Sequence, residues 1–336
     1  DEKDLVTSPT IAHVGGDGYL DFEVKQSDIK SGNAVVAVTK GSTVVWSWHL
    51  WFAPKSALTP IPVTNYQNKI YNFTTETLGW KPTIWSSSTY NKDRSVKIKV
   101  EQDISNNGSK QVSILNIIQN SGNKRKGTVT FYQFGRKDAF PGTDETLQQG
   151  SFNTNAGNNM SIVNGIQNPQ NFYSRGNSWE NIPPTGYTYN NLWSADNTVN
   201  GWNDNIVIKT VYDPSPVGFK MPASNAFTGF TQNGEYRQNN QVNADGTTVN
   251  YQKYSDNFGH NLWTNSSKNV IIFFPISSER YNGDGTIQVP IESASYWTAI
   301  PLGRYISCMM GFSSYGLNPK YAYSRSAGLA VRPVAE

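Results

Sequence analysis

Histidine and cysteine, the side chains on which nucleophilic catalysis most often depends, are scarce in this sequence. The 336 residues contain three histidines, His13, His49 and His260, and one cysteine, Cys308. No GxSxG or HExxH pattern surrounds any of the histidines. Cys308 stands in an apolar run typical of a core strand, and a lone cysteine cannot form an internal disulfide. We therefore predict that the chain has no catalytic residue and is not an enzyme.

Carboxylates offer a second route to catalysis, because glycoside hydrolysis needs two of them across a cleft. Asp17, Asp245 and Asp284 each precede a glycine, and that pair is typical of a tight turn. The spacing of the remaining acidic residues does not exclude a catalytic pair. A carbohydrate-active enzyme therefore stays open as an alternative function.

Aromatic and amide side chains are concentrated near the C-terminus and in one earlier turn. Rigid tyrosine rings beside adaptable Ser and Asn groups are typical of binding loops. Because strands alternate, half of the C-terminal tyrosines are equally well explained as core residues. The predicted ligand-binding residues are Trp202, Asn203, Tyr315, Asn318, Tyr321 and Tyr323.

The strands that position these side chains can be predicted from the alternation and apolar runs of the sequence. TVVWSWHLWF, residues 43–52, is apolar on both faces and is predicted to be a central strand. RSVKIKVEQ and QVSILNIIQ flank an NNGSK turn, which predicts a hairpin over 94–118. NVIIFFPI, residues 269–276, predicts a core strand, and IVIKTVYD, residues 206–213, predicts another strand.

Helical signals are few. A helix is predicted after Pro222, with Ser224 or Asn225 as its N-cap. Short helices are also predicted at DETLQQG and NPQNFYS, within a long loop region from 143 to 205. Aromatic residues recur through that region and favour ordered loops over disorder.

Composition narrows the class of protein. The chain has 10 Trp, 18 Tyr and 15 Phe but only 16% charged residues, a balance that favours a β-rich, loop-rich secreted protein. The net charge of +3 is spread along the chain, without the basic face that nucleic-acid binding needs. No window reaches the roughly 18 to 20 apolar residues of a membrane span. We expect any export signal to lie upstream of Asp1.

Four motifs occur in a fixed order along the chain. They are TVVWSWHLWF at 43–52, YQFGRKDAFPG at 132–142, KTVYDPSPVGFKMP at 209–222, and the stretch from YWTAIPLG to GLAVRPV at 296–334. Together they resemble the fibrobacter-type major paralogous domains and the C-terminal modules of fimbrillin-type pilus tip adhesins of Bacteroidetes. Ser215 stands where those relatives commonly have cysteine, so any disulfide that they make from this position is absent here.

The resemblance implies an α+β fold, specifically a β-rich, C-type-lectin-like module with long loops. Residues 1–84 and 128–336 are expected to form the lectin-like core, and residues 85–127 an inserted small β-hairpin lobe. In such modules the terminal strands pair, so GLAVRPV is expected beside TVVWSWHLWF or the early strand NAVVAV. Arg332, within the last motif, is expected to bind carbonyls or a carboxylate as a structural partner.

An adhesin is the function that the resemblance implies. The protein is expected to lie outside the cell, on the cell surface or in a fimbrium, and to bind a host or microbial glycan or surface protein without turnover. A structural pilus or envelope subunit that exchanges a strand with other subunits is the main alternative.

Calcium is the cofactor that the resemblance raises. Many C-type lectins hold calcium and sugar with a Trp-Asn-Asp triplet, and residues 202–204 have that sequence. Oxygen ligands from Asn203 and Asp204 suit calcium. In the lectins the triplet lies near the end of the domain, whereas more than a hundred residues follow it here. An Asn-rich turn is the competing interpretation.

Overall fold

Strands dominate the part of the chain that the computed structural model describes, which is residues 5–84, 94–103, 110–119, 126–143, 152–154, 157, 160–174, 192–195, 201–238, 242–243, 258–288, 292–303 and 305–336. In these ranges the chain begins with β1 (Thr7–Val14), β2 (Asp17–Glu23), β3 (Gly32–Lys40), β4 (Thr43–Phe52), β5 (Pro60–Thr64), β6 (Ile70–Thr74), β7 (Lys81–Ile84), β8 (Arg94–Glu101), β9 (Val112–Gln119) and β10 (Lys126–Thr128). It continues with β11 (Thr130–Phe131), β12 (Phe140–Pro141), β13 (Phe219–Lys220), β14 (Arg237–Gln238), β15 (Gly259–Trp263), β16 (Ile271–Pro275), β17 (Ser293–Pro301), β18 (Ile306–Ser313), β19 (Gly316–Ser324) and β20 (Val334–Ala335). The prediction of a β-rich fold is confirmed.

Two four-stranded sheets hold the fold together, one in the order β14-β19-β18-β17 and the other in the order β13-β20-β6-β5. β17 runs between two hydrophobic clusters because successive side chains of a strand point to opposite faces. Tyr296 packs edge-on against Phe274 in the first cluster, with ring centroids 5.0 Å apart. Its neighbour Trp297 packs against Trp193 in the second, at 6.4 Å. Cys308, predicted to lie in a core strand, is buried, as are Trp297, Met309, Phe312 and Val331.

The end of the chain returns to an early strand. Val334 of β20 pairs with Phe73 of β6, and the Val331 carbonyl accepts a hydrogen bond of 2.9 Å from the Leu78 N–H. GLAVRPV therefore lies beside residues 73–78. The expectation that the chain closes on its early part is confirmed, but β3 and β4 were the wrong partner strands.

Arg332 is fully buried in this closure. Its guanidinium donates to the carbonyl oxygens of Thr74 at 2.8 Å and Phe273 at 3.0 Å, and also to that of Thr75. The same group lies 4.8 Å from the centroid of the Phe274 ring. The prediction that Arg332 is a structural partner for carbonyls is confirmed.

β4 pairs with β3 in a two-stranded hairpin, so within the described ranges the prediction of a central strand is wrong. The inner face of β4 is its polar one. The Ser47 hydroxyl donates a hydrogen bond of 2.7 Å to Asp138, and the His49 ring shares one of 2.7 Å with the Tyr132 hydroxyl. The Trp51 indole donates a hydrogen bond of 3.1 Å to a backbone carbonyl. Alternation predicts two faces, and hydrogen bonds to distant segments decide which one turns inward.

The hairpin predicted over 94–118 is confirmed as the antiparallel pair of β8 and β9. Every described side chain from 95 to 103 and from 110 to 117 is exposed. Lys126 of β10 pairs with Ile84 of β7, which brings the two ends of the intervening segment side by side. This arrangement suits an inserted lobe, and the division into a core and a lobe stays a prediction.

The helix predicted after Pro222 is wrong. Residues 223–231 form successive tight turns, as where the Phe230 N–H donates to the Phe227 carbonyl at 3.1 Å, with a 3-10 turn at Thr228–Phe230. The Ser224 hydroxyl accepts a hydrogen bond of 2.8 Å from the Asn203 N–H. A contact with a distant turn thus takes the place of the predicted helix cap.

Further 3-10 turns lie at Gln26–Asp28 and Lys55–Leu58, and the α-helix of the described ranges is α1 (Ile162–Gln167). Its first turn is capped by Ser161, and no helix follows at NPQNFYS. DETLQQG lies outside the described residues. IVIKTVYD contributes an isolated bridge in place of the predicted strand. No helix in the described part of the chain has the length and apolar character needed to cross a lipid bilayer.

Candidate functional site

Tyrosines line one face of the sheet at β19. Met309 of β18 pairs with Trp297 of β17 and with Tyr321 of β19, so these three side chains point to the same face. A register shift beyond Met309 brings Asn318 onto that face, and Tyr323 joins it two residues after Tyr321. Three of the predicted ligand-binding residues are therefore brought together.

Glu279 adds a carboxylate to this group. Its Oε1 accepts a hydrogen bond from the Tyr323 hydroxyl, and its Oε2 accepts one of 3.2 Å from the Ser295 hydroxyl. An ionised carboxylate has about four acceptor positions, so Glu279 keeps positions for a ligand. We call the following set the tyrosine face: Glu279, Tyr281, Ser295, Asn318, Tyr321 and Tyr323.

The tyrosine face perturbs the pKa values of its own members. Burial raises the pKa of Glu279 above that of an ordinary carboxyl group, and the hydrogen bonds from Tyr323 and Ser295 lower it without cancelling that rise. Burial also raises the pKa of Tyr323, and the hydrogen bond to Glu279 raises it further. Tyr321 and Tyr281 add to the same rise, which indicates that their hydroxyl groups lie near that of Tyr323.

Two rings of the tyrosine face are open to solvent. Tyr321 is 46% exposed and Tyr281 is 44% exposed. The rings of Tyr321 and Tyr323 lie 6.4 Å apart with planes inclined by 32°. Exposed aromatic rings beside an acceptor carboxylate can stack on a ligand and hydrogen-bond it at the same time.

The predicted residue Tyr315 lies apart from this face. It occupies the turn between β18 and β19 and is 70% exposed. Its N–H donates to the Ser313 hydroxyl at 3.2 Å, which fixes the turn. The Tyr315 side chain is therefore accessible to a partner at the tip of the β18–β19 hairpin.

Asp204, predicted as a calcium ligand, is held by three protein donors. Its Oδ1 accepts from the Asn65 amide at 2.7 Å and the Tyr71 hydroxyl at 2.6 Å, and its Oδ2 accepts from the Asn225 amide at 2.9 Å. Burial, and then Asp204, raises the pKa of Tyr71. The carboxylate therefore ties the turn at 201–205 to the β5–β6 turn and to residues 223–231.

Trp202 and Asn203 belong to that same turn. The Asn203 side-chain oxygen accepts a hydrogen bond of 2.9 Å from the Asn205 N–H, as in an Asx turn. Trp202 is 37% exposed. In the described residues no group of three or more His, Cys, Asp or Glu side chains could hold a metal ion. The calcium site at Asn203 and Asp204 stays a prediction.

The structure places the predicted ligand-binding residues Trp202 and Tyr315 far apart. The Gly201 N–H donates to the Pro301 carbonyl at the last residue of β17, while Ser293, the first, pairs with Ser313 beside the Tyr315 turn. A nine-residue strand spans roughly 26 Å. Trp202 and Tyr315 therefore lie at opposite ends of β17, with the tyrosine face between them.

Of the groups considered for catalysis, His260 and Cys308 are buried, His49 is partly buried and His13 is exposed. Burial lowers the pKa of His49 and of His260 to about 4, and raises that of Cys308 to about 12. His260 lies in β15 with its ring 5.0 Å from that of Phe312. These three groups are therefore neutral near pH 7.

A serine and a lysine meet in the interior, a pairing that sequence reasoning missed. Lys137 donates to the Ser47 hydroxyl and, at 2.8 Å, to Asp138, whose carboxylate also accepts from Ser47. Burial lowers the pKa of Lys137 and the neighbouring Asp138 raises it. Ser47 is 1% exposed, and its proton points to the carboxylate and not to the amine. The geometry is that of a buried ion pair rather than of a nucleophile and its base.

Glu279 is the functional candidate that sequence reasoning missed. The run Ser-Glu-Arg-Tyr, residues 278–281, alternates: Ser278 and Arg280 are buried, whereas Glu279 is half-buried and Tyr281 is exposed. That period of two was available in the sequence as a signal. The partners of Glu279 were not, because they come from β17 and β19.

Comparisons of the chain with protein-family models, with curated proteins and with solved structures find no match. The resemblance to fimbrillin-type adhesins thus depends on the quoted motifs.

Proposed function

We propose that this chain is a cell-surface or fimbrial adhesin module that binds a glycan or a surface protein outside the cell through the tyrosine face. The observation that carries the proposal is the Glu279 carboxylate, which has free acceptor positions beside the exposed rings of Tyr281 and Tyr321. A lectin-like architecture of the Bacteroidetes type is part of the same proposal. The β-rich fold and the return of β20 to β6 support it.

Binding without turnover is supported by how the reactive groups are used. His49 is partly buried and shares hydrogen bonds with Asn33 and Tyr132, and Lys137 is paired with Asp138. The buried thiol of Cys308 has a raised pKa and so little thiolate character. Each group is engaged in packing or hydrogen bonding.

A glycan array, read with and without EDTA, tests the proposed function. We expect binding to named glycans that falls when Tyr321→Ala removes an exposed ring, with a melting temperature close to that of the wild type. Loss of binding in EDTA would support the calcium prediction. Trp202→Ala and Tyr315→Ala, at the two ends of β17, show whether the ligand extends beyond the tyrosine face. Turnover of a bound glycan would overturn the proposal.

The β8–β9 hairpin favours a second candidate function, that of a structural subunit. Val96, Ile98, Val100, Leu115 and Ile117 share one face and are each between 39% and 59% exposed. β8 carries Arg94, Lys97, Lys99 and Glu101, whereas β9 carries no charged residue. Charges protect a free strand edge against pairing, so β9 is the unprotected edge. Two-fold pairing of β9 with β9 of a second copy brings no like charges together, unlike pairing through β8.

Sedimentation velocity tests this second candidate. We expect wild-type dimers that Leu115→Lys on β9 converts to monomers, because the substitution puts a charge at the pairing edge. Val100→Lys changes the same face of the hairpin but lies on β8, away from the pairing edge, and should leave the dimer intact. A monomeric wild type at high protein concentration would exclude the structural role of β9.

A further inference from the structure

We propose that the tyrosine face takes a neutral sugar, with the sugar ring stacked on an exposed tyrosine and adjacent ring hydroxyls donating to Glu279. The inference rests on the proposed function and names the ligand class of the same site. It is carried by three observations. These are the fixed orientation of the carboxylate, the exposed rings on the same face, and the absence of a basic member of the face among the described residues.

The Glu279 carboxylate is held in place by protein donors on both of its oxygens. Tyr323 donates to one oxygen and Ser295 donates to the other, and the two donors come from different strands of one sheet. A carboxylate oriented in this way has its remaining acceptor positions fixed before a ligand arrives, which reduces the entropy lost on binding. The ligand that fits must bring hydrogen-bond donors, because an ionised carboxylate is an acceptor only.

The rings beside Glu279 define the shape of that ligand. Tyr321 and Tyr281 each expose nearly half of their surface, and an aromatic face is an electron-rich platform that favours weakly positive C–H groups. A sugar ring offers a face of C–H groups and a rim of hydroxyl donors within one rigid unit. It can therefore satisfy the rings and the carboxylate together.

Charge selects among sugars. Glu279 is the carboxylic acid of the tyrosine face, and among the residues that the structure describes no Lys or Arg belongs to the set. Lys320, on β19, is paired with Glu235, and Arg280 is fully buried and donates to the Pro141 carbonyl. A sugar that carries a carboxylate or sulfate would bring a second negative charge beside Glu279 without a cation between them. Uronic acids, sialic acids and sulfated sugars should therefore be excluded.

Calorimetric titration with defined hexasaccharides tests the inference. The neutral probes are cellohexaose, mannohexaose and N-acetylchitohexaose, and the acidic probes are hexagalacturonic acid and a heparin hexasaccharide. We expect at least one neutral probe to bind and both acidic probes to fail. Glu279→Gln should weaken binding about tenfold, because a charge-assisted hydrogen bond is lost. Glu101→Gln, the same change on the exposed hairpin, should have no effect.

Tyrosine variants separate stacking from hydrogen bonding. Tyr321→Ala should abolish measurable binding, whereas Tyr321→Phe should retain it, because the ring supplies the contact. Tyr19→Ala, which removes an equally exposed ring from β2, is the matched control. Melting temperatures measured for each variant show whether the protein is folded, so a loss of binding in a folded Tyr321→Ala protein supports the inference even where Glu279→Gln fails to fold.

Two outcomes overturn the inference in different ways. Tighter binding of the acidic probes, or binding of neutral probes that is unaffected by both Glu279→Gln and Tyr321→Ala, would refute the neutral-sugar site while leaving an adhesin function in place. Failure of every probe here and of every glycan on the array would refute the glycan reading of the proposed function as well.

Discussion

Asp204 and Glu279 are both half-buried carboxylates that hold a tyrosine hydroxyl, and they differ in what surrounds them. Asp204 accepts from Asn65, Tyr71 and Asn225, which belong to two other segments of the fold. Glu279 accepts from Tyr323 and Ser295 and lies beside rings that face solvent. Asp204 links segments of the fold, whereas Glu279 has acceptor positions that these protein donors do not use. A tyrosine-rich segment thus indicates a binding surface only where its polar groups are left incompletely used.

The largest effect that we expect is the loss of folding stability in acid, through protonation of His49 and His260. Burial lowers the pKa of His49 and His260 from 6.5 to about 4, so the folded state keeps them neutral while the unfolded chain binds protons below pH 6.5. Their contribution to the free energy of unfolding is fully present above pH 6.5. It is lost as the pH falls toward 4, by about 3 kcal/mol for each histidine.

Urea unfolding at a series of pH values measures this loss. His49→Gln should flatten the dependence on pH, and His13→Gln, at an exposed position in β1, should leave it unchanged. A free energy of unfolding that stays constant between pH 7 and pH 4 would contradict the buried, neutral assignment of both histidines.

Removal of the Asp204 carboxylate should lower the free energy of unfolding by less than acid does, but by more than removal of the Glu279 carboxylate. Asp204→Ala leaves three donors without their acceptor, and we expect a loss of about 2 to 3 kcal/mol in the free energy of unfolding. Glu279→Ala should cost less, about 1 kcal/mol, because it leaves two donors without their acceptor instead of three, and one of the two, Tyr323, is only partly buried. Asp21→Ala, at an exposed position in β2, serves as the control in the same urea titrations. Equal losses for Asp204→Ala and Glu279→Ala would break the comparison.

The hairpin should contribute least to the stability of the rest. Because Lys126 pairs with Ile84, a short Gly-Ser turn can replace residues 85–125 without straining β7 or β10. We expect the free energy of unfolding to change by less than about 1 kcal/mol, since the described hairpin side chains are exposed. Insoluble expression of the shortened chain would show that the lobe is an integral part of the core.

Local patterns predicted the parts of this fold that local contacts build. β8, β9 and β16 follow from alternation or from an apolar run, and Trp297 and Phe312 follow from their positions in apolar strands. The inner face of β4 could not be predicted, because Ser47 and His49 are drawn inward by Asp138 and Tyr132, more than eighty residues away.

The same limit explains what was missed at the candidate site. Ser224 caps no helix because it accepts from Asn203, and Glu279 meets Ser295 and Tyr323 across 16 and 44 residues of sequence. Tyr321 and Tyr323 could be found from composition, since aromatic and amide residues cluster there. The carboxylate that they surround depends on how β17 and β19 are paired, which no single segment encodes.

Carboxyl footprinting, in which a carbodiimide couples an amine to accessible carboxylates and mass spectrometry reports the rate at each residue, tests the contrast between the two carboxylates most directly. The probe is the neutral hexasaccharide that binds most tightly in the titrations. We predict that saturation with this sugar slows the labelling of Glu279 and leaves the labelling of Asp204 unchanged. Protection of Asp204, or unchanged labelling of Glu279 in the bound state, would contradict it.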